Sequence, residues 1–274
     1  MAEVALHDVD AARYVPDVAS GVGALVVAGS SGRIDTARAQ LLADHGVLAE
    51  SIRWFGGQGQ HDGSWEIPLE LFLDRVSALR TDSDRVLVLG TSFGAEAALL
   101  TGALSAEVDA VVAFAPSDVV WAGITDHGRM TSHWTHHDDA LPFVPFADDW
   151  ESTADPPAFV GLYERSRQRF ADELAAAAIP VERIAHLVLV AGGDDGVWPS
   201  VAQAEAVRRR RAEHGLPTAL VTDSQAGHRT ILPGEPVVTN GVRMHRGGTE
   251  TADRRLGHEA WPHLSSLLGD EPSS

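Results

Sequence analysis

The sequence predicts an α/β protein with a mainly parallel central sheet and helices on both faces. Short β-type runs alternate with longer helical patterns, several of these runs are apolar throughout, and no internal repeat is present. The alternation is typical of parallel sheets, whose strands are covered on both faces and are therefore continuously apolar. The length is sufficient for one large core, so we expect a single domain over residues 1–274.

Six strands are predicted from the apolar runs. They cover residues 23–28, 47–54, 85–90, 108–115, 186–192 and 218–223. Most of them are followed by a segment with helical spacing of apolar residues, as a crossover connection requires.

The predicted helices have recognisable ends. Between the first two strands, Asp35 is a predicted N-cap, Ala39 and Leu42 belong to an apolar stripe, and Gly46 is placed to end the helix. Pro68 lies near the start of the next helix, where its missing N–H is tolerated. Later helices are predicted at 93–103, 161–178, 200–214 and 249–268.

One stretch does not follow the alternation. Residues 116–157 are rich in Trp, His, Asp and Pro and have no sustained period. A connection of this length is usually functional. We therefore expect residues 116–160 to form a lid or pocket wall, and its aromatic residues to line either an acyl pocket or the lid's own core.

Composition excludes several classes of function. The formal net charge of −18 argues against binding to nucleic acid, and the absence of cysteine excludes disulfides and thiolate nucleophiles. No apolar run is long enough to cross a bilayer, and the acidic N-terminus does not have the pattern of a signal peptide. We expect a cytoplasmic protein with no membrane partner.

The strongest local motif is GTSFG at residues 90–94, between a predicted strand and a predicted helix. Strand, sharp turn and helix are the context of the G-x-S-x-G nucleophile elbow, which exposes the serine hydroxyl at the sheet edge. Ser92 is therefore the predicted nucleophile. A serine that only caps the helix is the alternative.

A serine nucleophile needs a base and an acid that orients the base. The loop after the strand at 186–192 contains Asp194 and Asp195, and a turn-forming role suits either of them. The loop after the strand at 218–223 contains His228. Nucleophile, acid and base thus occur in the chain order of the α/β-hydrolase fold, and Asp195 is the preferred acid.

At a larger scale, the chain resembles the C-terminal catalytic domain of the acyl-CoA thioesterase and bile acid-CoA:amino acid N-acyltransferase family. The resemblance includes GTSFGAEAALL at 90–100, AAIPVERIAHLVLVAGGDDGVWPS at 177–200 and QAGHRTILPGEP at 225–236. It extends to AGSSGRIDTARAQLLADHG near the start and GGTETADRRLGHEAWPHLSSLL near the end, and so covers almost the full chain.

The resemblance implies that Ser92 is the nucleophile, Asp195 the acid and His228 the base. Two departures from the family are visible. Mammalian members carry an additional N-terminal β-domain, whereas this chain begins almost at the catalytic domain, and the acyltransferase members use cysteine as nucleophile. Serine favours hydrolysis over acyl transfer.

The predicted function is therefore hydrolysis of an acyl thioester through an acyl-enzyme, without a metal or another cofactor. The oxyanion is expected to bind the backbone N–H of Phe93 and that of Ser30 or Ser31 in the loop AGSSGR. Alternatives are a carboxylic ester or lactone hydrolase of the dienelactone type, an acyltransferase to an amine, and a silent ligand-binding scaffold. The expected partner is a small-molecule thioester or ester.

Three further features have ordinary structural explanations. Glu96, one helical turn after Ser92, is expected to anchor the helix or the sheet. The histidine-rich run at 133–139 is interpreted as a solvated loop, since neighbouring loop positions seldom converge on one metal ion. The arginine run at 208–211 spirals around a predicted helix and is expected to be solvated, with a contact to substrate phosphates as the alternative.

Overall fold

The computed structural model describes residues 1–6, 9–238 and 241–269. The strands in chain order are β1 (Ala2–Ala5), β2 (Ala11–Val15), β3 (Val22–Val27), β4 (Leu48–Ile52), β5 (Ile67–Pro68), β6 (Arg85–Thr91), β7 (Ala110–Phe114), β8 (Ala122–Ile124), β9 (Met130–Ser132), β10 (Trp134–His136), β11 (Asp139–Ala140), β12 (His186–Gly192) and β13 (Ala219–Asp223). The α-helices are α1 (Thr36–Asp44), α2 (Glu70–Asp82), α3 (Phe93–Leu104), α4 (Val160–Arg169), α5 (Leu174–Ala177), α6 (Ser200–Glu213) and α7 (Glu250–Leu268), and Val181–Arg183 form a 3₁₀ turn.

The main sheet has eight strands in the order β1-β2-β4-β3-β6-β7-β12-β13. The six strands from β4 to β13 are parallel, and β1 and β2 pair antiparallel at one edge. All six predicted strands are present, and the α/β prediction is confirmed. β1 and β2 were not predicted, because β1 has only four residues and β2 (AARYV) is buried only at alternate positions and has no continuous apolar run.

The site is positioned by a reversal of strand order between β3 and β6. The chain leaves β3 through α1 towards β4 on one side, and leaves β6 through α3 towards β7 on the other. Loops that follow such neighbouring strands diverge and leave a crevice at the carboxyl ends, where ligands bind in open α/β sheets. The loops that begin at Ala28 and Ser92 meet there.

Two apolar layers cover the sheet. One face carries α1 and α7 through side chains such as Leu42 and Leu264, and the opposite face carries α2, α3 and α6 through side chains such as Phe72 and Leu99. Adjacent residues within a strand point to opposite layers, as the pleat dictates. Every residue of β3 and of β7 is consequently buried.

The helix predicted at 161–178 is interrupted, so that prediction is wrong in its middle. α4 ends before Phe170, whose φ of −113° and ψ of 44° leave the helical region, and α5 begins only at Leu174. Phe170 and Leu174 both pack against the cluster that contains Trp121 and Trp198. The break lets both side chains reach this cluster, and tertiary packing here outweighs local helix propensity.

The irregular stretch at 116–160 contains short strands. β8 pairs with β9, while β10 joins β11 and β5 in a second small sheet. Its large aromatic residues are internal: Trp121 and Trp134 have no exposed surface, and Trp121 packs against Tyr163 and Phe146. The two tryptophans therefore pack into apolar cores shared with the rest of the protein: Trp134 contacts Trp54 and Phe72 of the main core, and Trp121 belongs to a smaller cluster with Tyr163 and Trp198.

Candidate active site

Ser92 occupies a strained turn between β6 and α3. Its φ of 59° and ψ of −124° lie in a region that residues with a side chain rarely adopt. Its backbone N–H donates to the carbonyl of Phe114 on the neighbouring strand, at 2.9 Å. The geometry matches the predicted elbow.

The two glycines of the elbow are required by close backbone approach. A Cβ atom on Gly90 would lie 2.0 Å from the carbonyl oxygen of Gly94, and a Cβ atom on Gly94 would lie 2.4 Å from that of Ala28. Both distances are far below van der Waals contact. Any side chain at either position would push the start of α3 away from β3 and β6.

Asp195 and His228 are hydrogen-bonded to each other. The distance between Asp195 Oδ2 and His228 Nδ1 is 2.8 Å, and both side chains are buried. The other carboxylate oxygen of Asp195 accepts the backbone N–H of Val197 at 2.7 Å, and the hydroxyl of Ser200 donates to Oδ2. The carboxylate is thus fixed on several sides, which fixes the imidazole in turn.

The structure distinguishes the two adjacent aspartates. Asp194 points away from His228: its Oδ2 accepts the backbone N–H of Gly248 at 2.9 Å, and its own N–H donates to the carbonyl of Ala226. Asp194 therefore ties the loop after β12 to the start of α7, and Asp195 is the carboxylate in contact with the histidine.

Ser92 and His228 share one cavity of about 300 Å³ at the carboxyl edge of the sheet. Its walls come from the loop after β3, the elbow, and the long loop between β13 and α7. Ser30 and Ser31, the predicted donors to the oxyanion, line the same cavity. Phe93 begins α3 directly after Ser92, and its ring packs against His133 and Trp198 outside the cavity.

The loop after β3 is held close to the nucleophile. A Cβ atom on Gly29 would lie 3.1 Å from that of Ser92, and the N–H of Gly32 donates to the carbonyl of Gly29 at 2.9 Å. The resulting tight turn places Ser30 and Ser31 at its apex, within the cavity wall.

Four arginines that were not singled out from the sequence also line the cavity: Arg33, Arg38, Arg229 and Arg246. Burial, followed by the charges of Arg246 and Arg33, lowers the pKa of Arg229 to about 10. Burial and the charge of Arg33 likewise lower the pKa of Arg246. The signal in the sequence was weak, because these residues come from distant parts of the chain and only Arg229 adjoins a predicted site residue.

A buried ion pair joins α1 to the loop that carries His228. Arg38 Nε lies 2.6 Å from Glu235 Oε1, and its Nη2 donates to Glu235 Oε2 and to the carbonyl of Thr230. Its Nη1 donates to the hydroxyl of Thr91 beside the nucleophile, and its guanidinium lies over the ring of Phe114. Both members of the pair are buried.

Glu96 is an anchor of the kind expected from the sequence. It is fully buried, and its Oε2 accepts the indole N–H of Trp134 at 3.0 Å and the backbone N–H of Trp121 at 3.3 Å. It therefore attaches the 116–160 stretch to α3. His133 is buried 3.8 Å from the same oxygen atom.

The histidine-rich run does not act as one group. His133 is buried, whereas His136 and His137 flank the carboxylate of Glu70 near the surface. The possible ligand atoms of Glu70, His136 and His137 lie within 4.8 Å of one another, but none of these residues lines the cavity.

The arginine run on α6 serves local structure. Arg210 pairs with Glu182, and Arg211 is buried, with Nη1 donating to the carbonyls of Val181 and Ile184 at 2.6 Å each. None of Arg208 to Arg211 lines the cavity, so the alternative contact with substrate phosphates has no support there. No residue of the 116–160 stretch lines this cavity either, and a lid role for that stretch stays a prediction.

Comparison with known proteins finds a matching family model. A family model described as "BAAT / Acyl-CoA thioester hydrolase C terminal" matches residues 69–268. No curated protein matches the chain. No helix among the described residues has the length and apolar character to cross a membrane.

Solved structures similar to this chain share its fold at low sequence identity. A Klebsiella pneumoniae protein described provisionally as a dienelactone hydrolase has a TM-score of 0.54 and 13% identity, with 95% of this chain and 92% of that chain covered. An Agrobacterium tumefaciens protein described provisionally as an α/β hydrolase has a TM-score of 0.55 and 15% identity, with 99% and 100% covered. A Mycobacterium tuberculosis puromycin-hydrolyzing peptidase has a TM-score of 0.60 and 16% identity, with 96% and 38% covered.

Proposed function

The chain belongs to the BAAT / acyl-CoA thioester hydrolase C-terminal family, and from that membership we propose that it is a serine hydrolase that cleaves acyl thioesters. The observation that carries the proposal is the arrangement of three residues. Ser92 lies in a strained elbow, it shares a cavity with His228, and His228 Nδ1 is 2.8 Å from the carboxylate of Asp195.

In the first half-reaction, Ser92 Oγ attacks the thioester carbonyl carbon while His228 Nε2 takes the hydroxyl proton. Asp195 holds the ring orientation through Nδ1 and stabilises the imidazolium that forms. The backbone N–H groups of Phe93 and of Ser30 or Ser31 bind the oxyanion, and the positive end of α3 adds to this stabilisation. The C–S bond then breaks, and His228 delivers its proton to the departing thiolate.

In the second half-reaction, water attacks the acyl-Ser92 ester, with His228 accepting a proton from the water. Collapse of the second tetrahedral intermediate breaks the bond to Ser92 Oγ, and His228 returns the proton to this oxygen. The products are a carboxylic acid and regenerated enzyme. A serine ester yields to water, which supports hydrolysis over transfer to an amine.

The test is release of free thiol from acyl-CoAs of graded chain length, measured for the wild type, Ser92→Ala and Ser224→Ala. Ser224 is an exposed serine in the loop after β13 and does not line the cavity, so it is the matched control. We expect Ser92→Ala to lose about 10⁶-fold in kcat and Ser224→Ala to match the wild type.

Two outcomes would contradict the proposal. Thiol release that survives in Ser92→Ala would remove the nucleophile from the mechanism. Cleavage of aryl esters or lactones without cleavage of any thioester would assign the same site to the ester or lactone hydrolase alternative. Mass analysis of the products with glycine present separates hydrolysis, which gives the free acid, from acyl transfer, which gives the amide.

A further inference from the structure

The second small sheet brings two histidines to the first residue of a helix. β10, which ends at His136, pairs parallel with β5, and the chain passes from β5 through Leu69 directly into α2. Glu70, the first residue of α2, therefore lies beside the end of β10, although the two are far apart in sequence. This is how a loop carboxylate of one segment meets an imidazole of another.

The turn after β10 adds the second histidine. His137 and Asp138 connect β10 to β11, and both have positive φ angles, 53° and 65°, as the common two-residue hairpin loops require. The backbone N–H of His137 donates to Glu70 Oε1 at 2.8 Å, which attaches the turn to α2. Asn and Gly are the usual residues at such positions. Here an imidazole stands on a backbone that is already fixed to the carboxylate.

The three side chains are spaced as ligands of one ion. Glu70 Oε1 lies 3.8 Å from His136 Nε2 and 3.5 Å from His137 Nδ1, and one ligand atom from each residue lies within 4.8 Å of the others. Two ligands of a tetrahedral zinc ion are about 3.4 Å apart. The distances to the carboxylate are thus close to those of a bound ion. The side chain of His137 is 78% exposed and can rotate to bring its ring nitrogen nearer to that of His136.

The charge around this cluster favours a cation. Partial burial acts to raise the pKa of Glu70, but the backbone N–H groups of His137 and Glu70 and the charges of both imidazoles lower the pKa on balance. The carboxylate is therefore ionised at neutral pH, as a metal ligand must be. The hairpin register places Asp139 opposite His136, on the same face, and Asp138 lies in the turn.

The types of donor atom select the class of ion. Two imidazole nitrogens and one carboxylate oxygen suit Zn²⁺ and related transition-metal ions. Ca²⁺ and Mg²⁺ prefer ligand sets made of oxygen alone. Three protein ligands leave room for water to complete the coordination.

We propose that Glu70, His136 and His137 form a surface binding site for a divalent transition-metal ion, with Zn²⁺ as the best match. None of the three residues lines the cavity that contains Ser92. The site is therefore structural and separate from the proposed hydrolysis. The bound ion links the start of α2 to the β10–β11 turn.

The link strengthens an attachment that is already present. On the same strand, Trp134 packs against Phe72 of α2 with ring centroids 5.8 Å apart, and its indole N–H donates to Glu96 of α3. These contacts hold one end of β10 against the helices. The ion holds the other end, so that the 116–160 stretch is fixed at two points.

The test is calorimetric titration of Zn²⁺ into the chelator-treated, untagged chain. We expect the wild type to bind one Zn²⁺ at this site, and Glu70→Gln and His137→Asn to bind it at least about 10-fold more weakly, because even the hydrogen-bond partner of a ligand is worth about 10- to 100-fold in affinity. Glutamine retains an acceptor for the N–H of His137, and asparagine tolerates a positive φ. Both variants should therefore keep the fold.

His127→Asn is the matched control. His127 lies in the turn between β8 and β9, is 89% exposed and stands 3.7 Å from Asp126, but it is outside the three-residue cluster. Its variant loses one imidazole as well, and its Zn²⁺ affinity should equal that of the wild type. Absence of Zn²⁺ binding by the wild type, or equal affinities in all three variants, would overturn the site.

Hydrogen–deuterium exchange locates the ion in the wild type without any substitution. We expect Zn²⁺ to slow exchange of the backbone amides at 134–140, and to leave these rates unchanged in His137→Asn. Slower exchange only in other parts of the chain would assign the ion to other histidines and overturn the proposal. Melting temperatures in chelator check that each variant is folded.

Discussion

At the residue scale, the backbone of Ser92 is strained because a side chain stands at φ 59° and ψ −124°. Conformations of this kind cost about 1–3 kcal/mol, and glycine adopts them without the penalty. The elbow thus lowers stability but places the serine in the wall of the cavity. In Ser92→Ala the hydroxyl is removed but the strain remains.

We predict that Ser92→Gly is more stable than Ser92→Ala by about 1 kcal/mol, although both are inactive. The gain is the relieved strain minus the greater freedom of glycine in the unfolded chain. Urea unfolding with equal m-values measures the difference. If the glycine variant is less stable than the alanine variant, the turn is not strained by its side chain.

The adjacent aspartates give a second prediction at this scale. Asp195→Asn is expected to lower kcat about 10³- to 10⁴-fold, because an amide neither orients the imidazole correctly nor stabilises the imidazolium. Asp194→Asn retains an acceptor for the N–H of Gly248 and is the matched control, with activity close to the wild type. Comparable losses in both variants would contradict the assignment of Asp195 as the acid.

Single residues also show the limits of inference from sequence. The elbow was predictable because its motif of five consecutive residues lies directly between a predicted strand and a predicted helix. The resemblance to the family implied Asp195, but what distinguishes it from Asp194 is the direction of the two side chains, which the sequence does not contain. Arg33, Arg229 and Arg246 form a cluster only because β3 lies beside β6 and the loop before α7 folds over both.

At the scale of elements, α1 and the loop before α7 are joined by the buried pair of Arg38 and Glu235. Their side chains are 7% and 8% exposed, so removal of one partner leaves the other as an uncompensated charge away from water. Charges of this kind are costly, whereas replacement of both partners by apolar groups is often nearly neutral.

We predict that Arg38→Met lowers the free energy of unfolding by about 3–5 kcal/mol, and that Arg38→Met combined with Glu235→Leu recovers most of this loss. A double-mutant cycle in urea measures the coupling. The matched comparison is Arg210→Met, whose partner Glu182 is more exposed and whose loss should be about 1 kcal/mol or less. Additive losses in the Arg38 cycle would contradict the coupling.

Helices whose apolar residues recur at regular spacing were predictable from the sequence. Helix ends that are determined by tertiary packing were not. The helices at α1, α2, α3, α6 and α7 follow from apolar spacing and end signals in the sequence. The break between α4 and α5 arises because Phe170 and Leu174 both reach an aromatic cluster, and the partners in that cluster are distant in sequence. β1 and β2 were missed because both are short and neither contains a continuous apolar run.

At the scale of the whole molecule, the negative net charge affects the approach of a large charged partner more than that of a small uncharged substrate. A formal net charge of −18 repels an acidic carrier protein, and salt screens this repulsion over a Debye length of about 10 Å at 0.1 M. A small uncharged thioester does not experience it.

We therefore predict that kcat/KM for an acyl group on an acidic carrier protein rises several-fold between about 0.01 M and 0.3 M salt, whereas kcat/KM for propionyl-N-acetylcysteamine stays constant. Stopped-flow thiol release over a salt series measures both. A carrier rate that falls with salt would show that a local positive surface, and not the net charge, governs the encounter.

The overall architecture was the most predictable level, because alternating apolar runs and helices allow few topologies. The position of the proposed site is also consistent with this architecture, since the connections that leave the parallel strands β3 and β6 run to opposite sides and open a crevice at the carboxyl ends of these strands. The extent of the 116–160 stretch was visible from its irregular composition, but the packing of its tryptophans against residues outside the stretch was not.

The loop between β13 and α7 holds His228 near one end and Arg246 near the other, and both ends are fastened to the body of the protein by Arg38, Glu235 and Asp194. Between these ends, Gly241 faces the guanidinium groups of Arg229 and Arg246. During divergence, insertions or substitutions in the middle would change which substrates are accepted while the fastened ends keep the chemistry intact. New substrate preferences can thus evolve here without a loss of activity along the way.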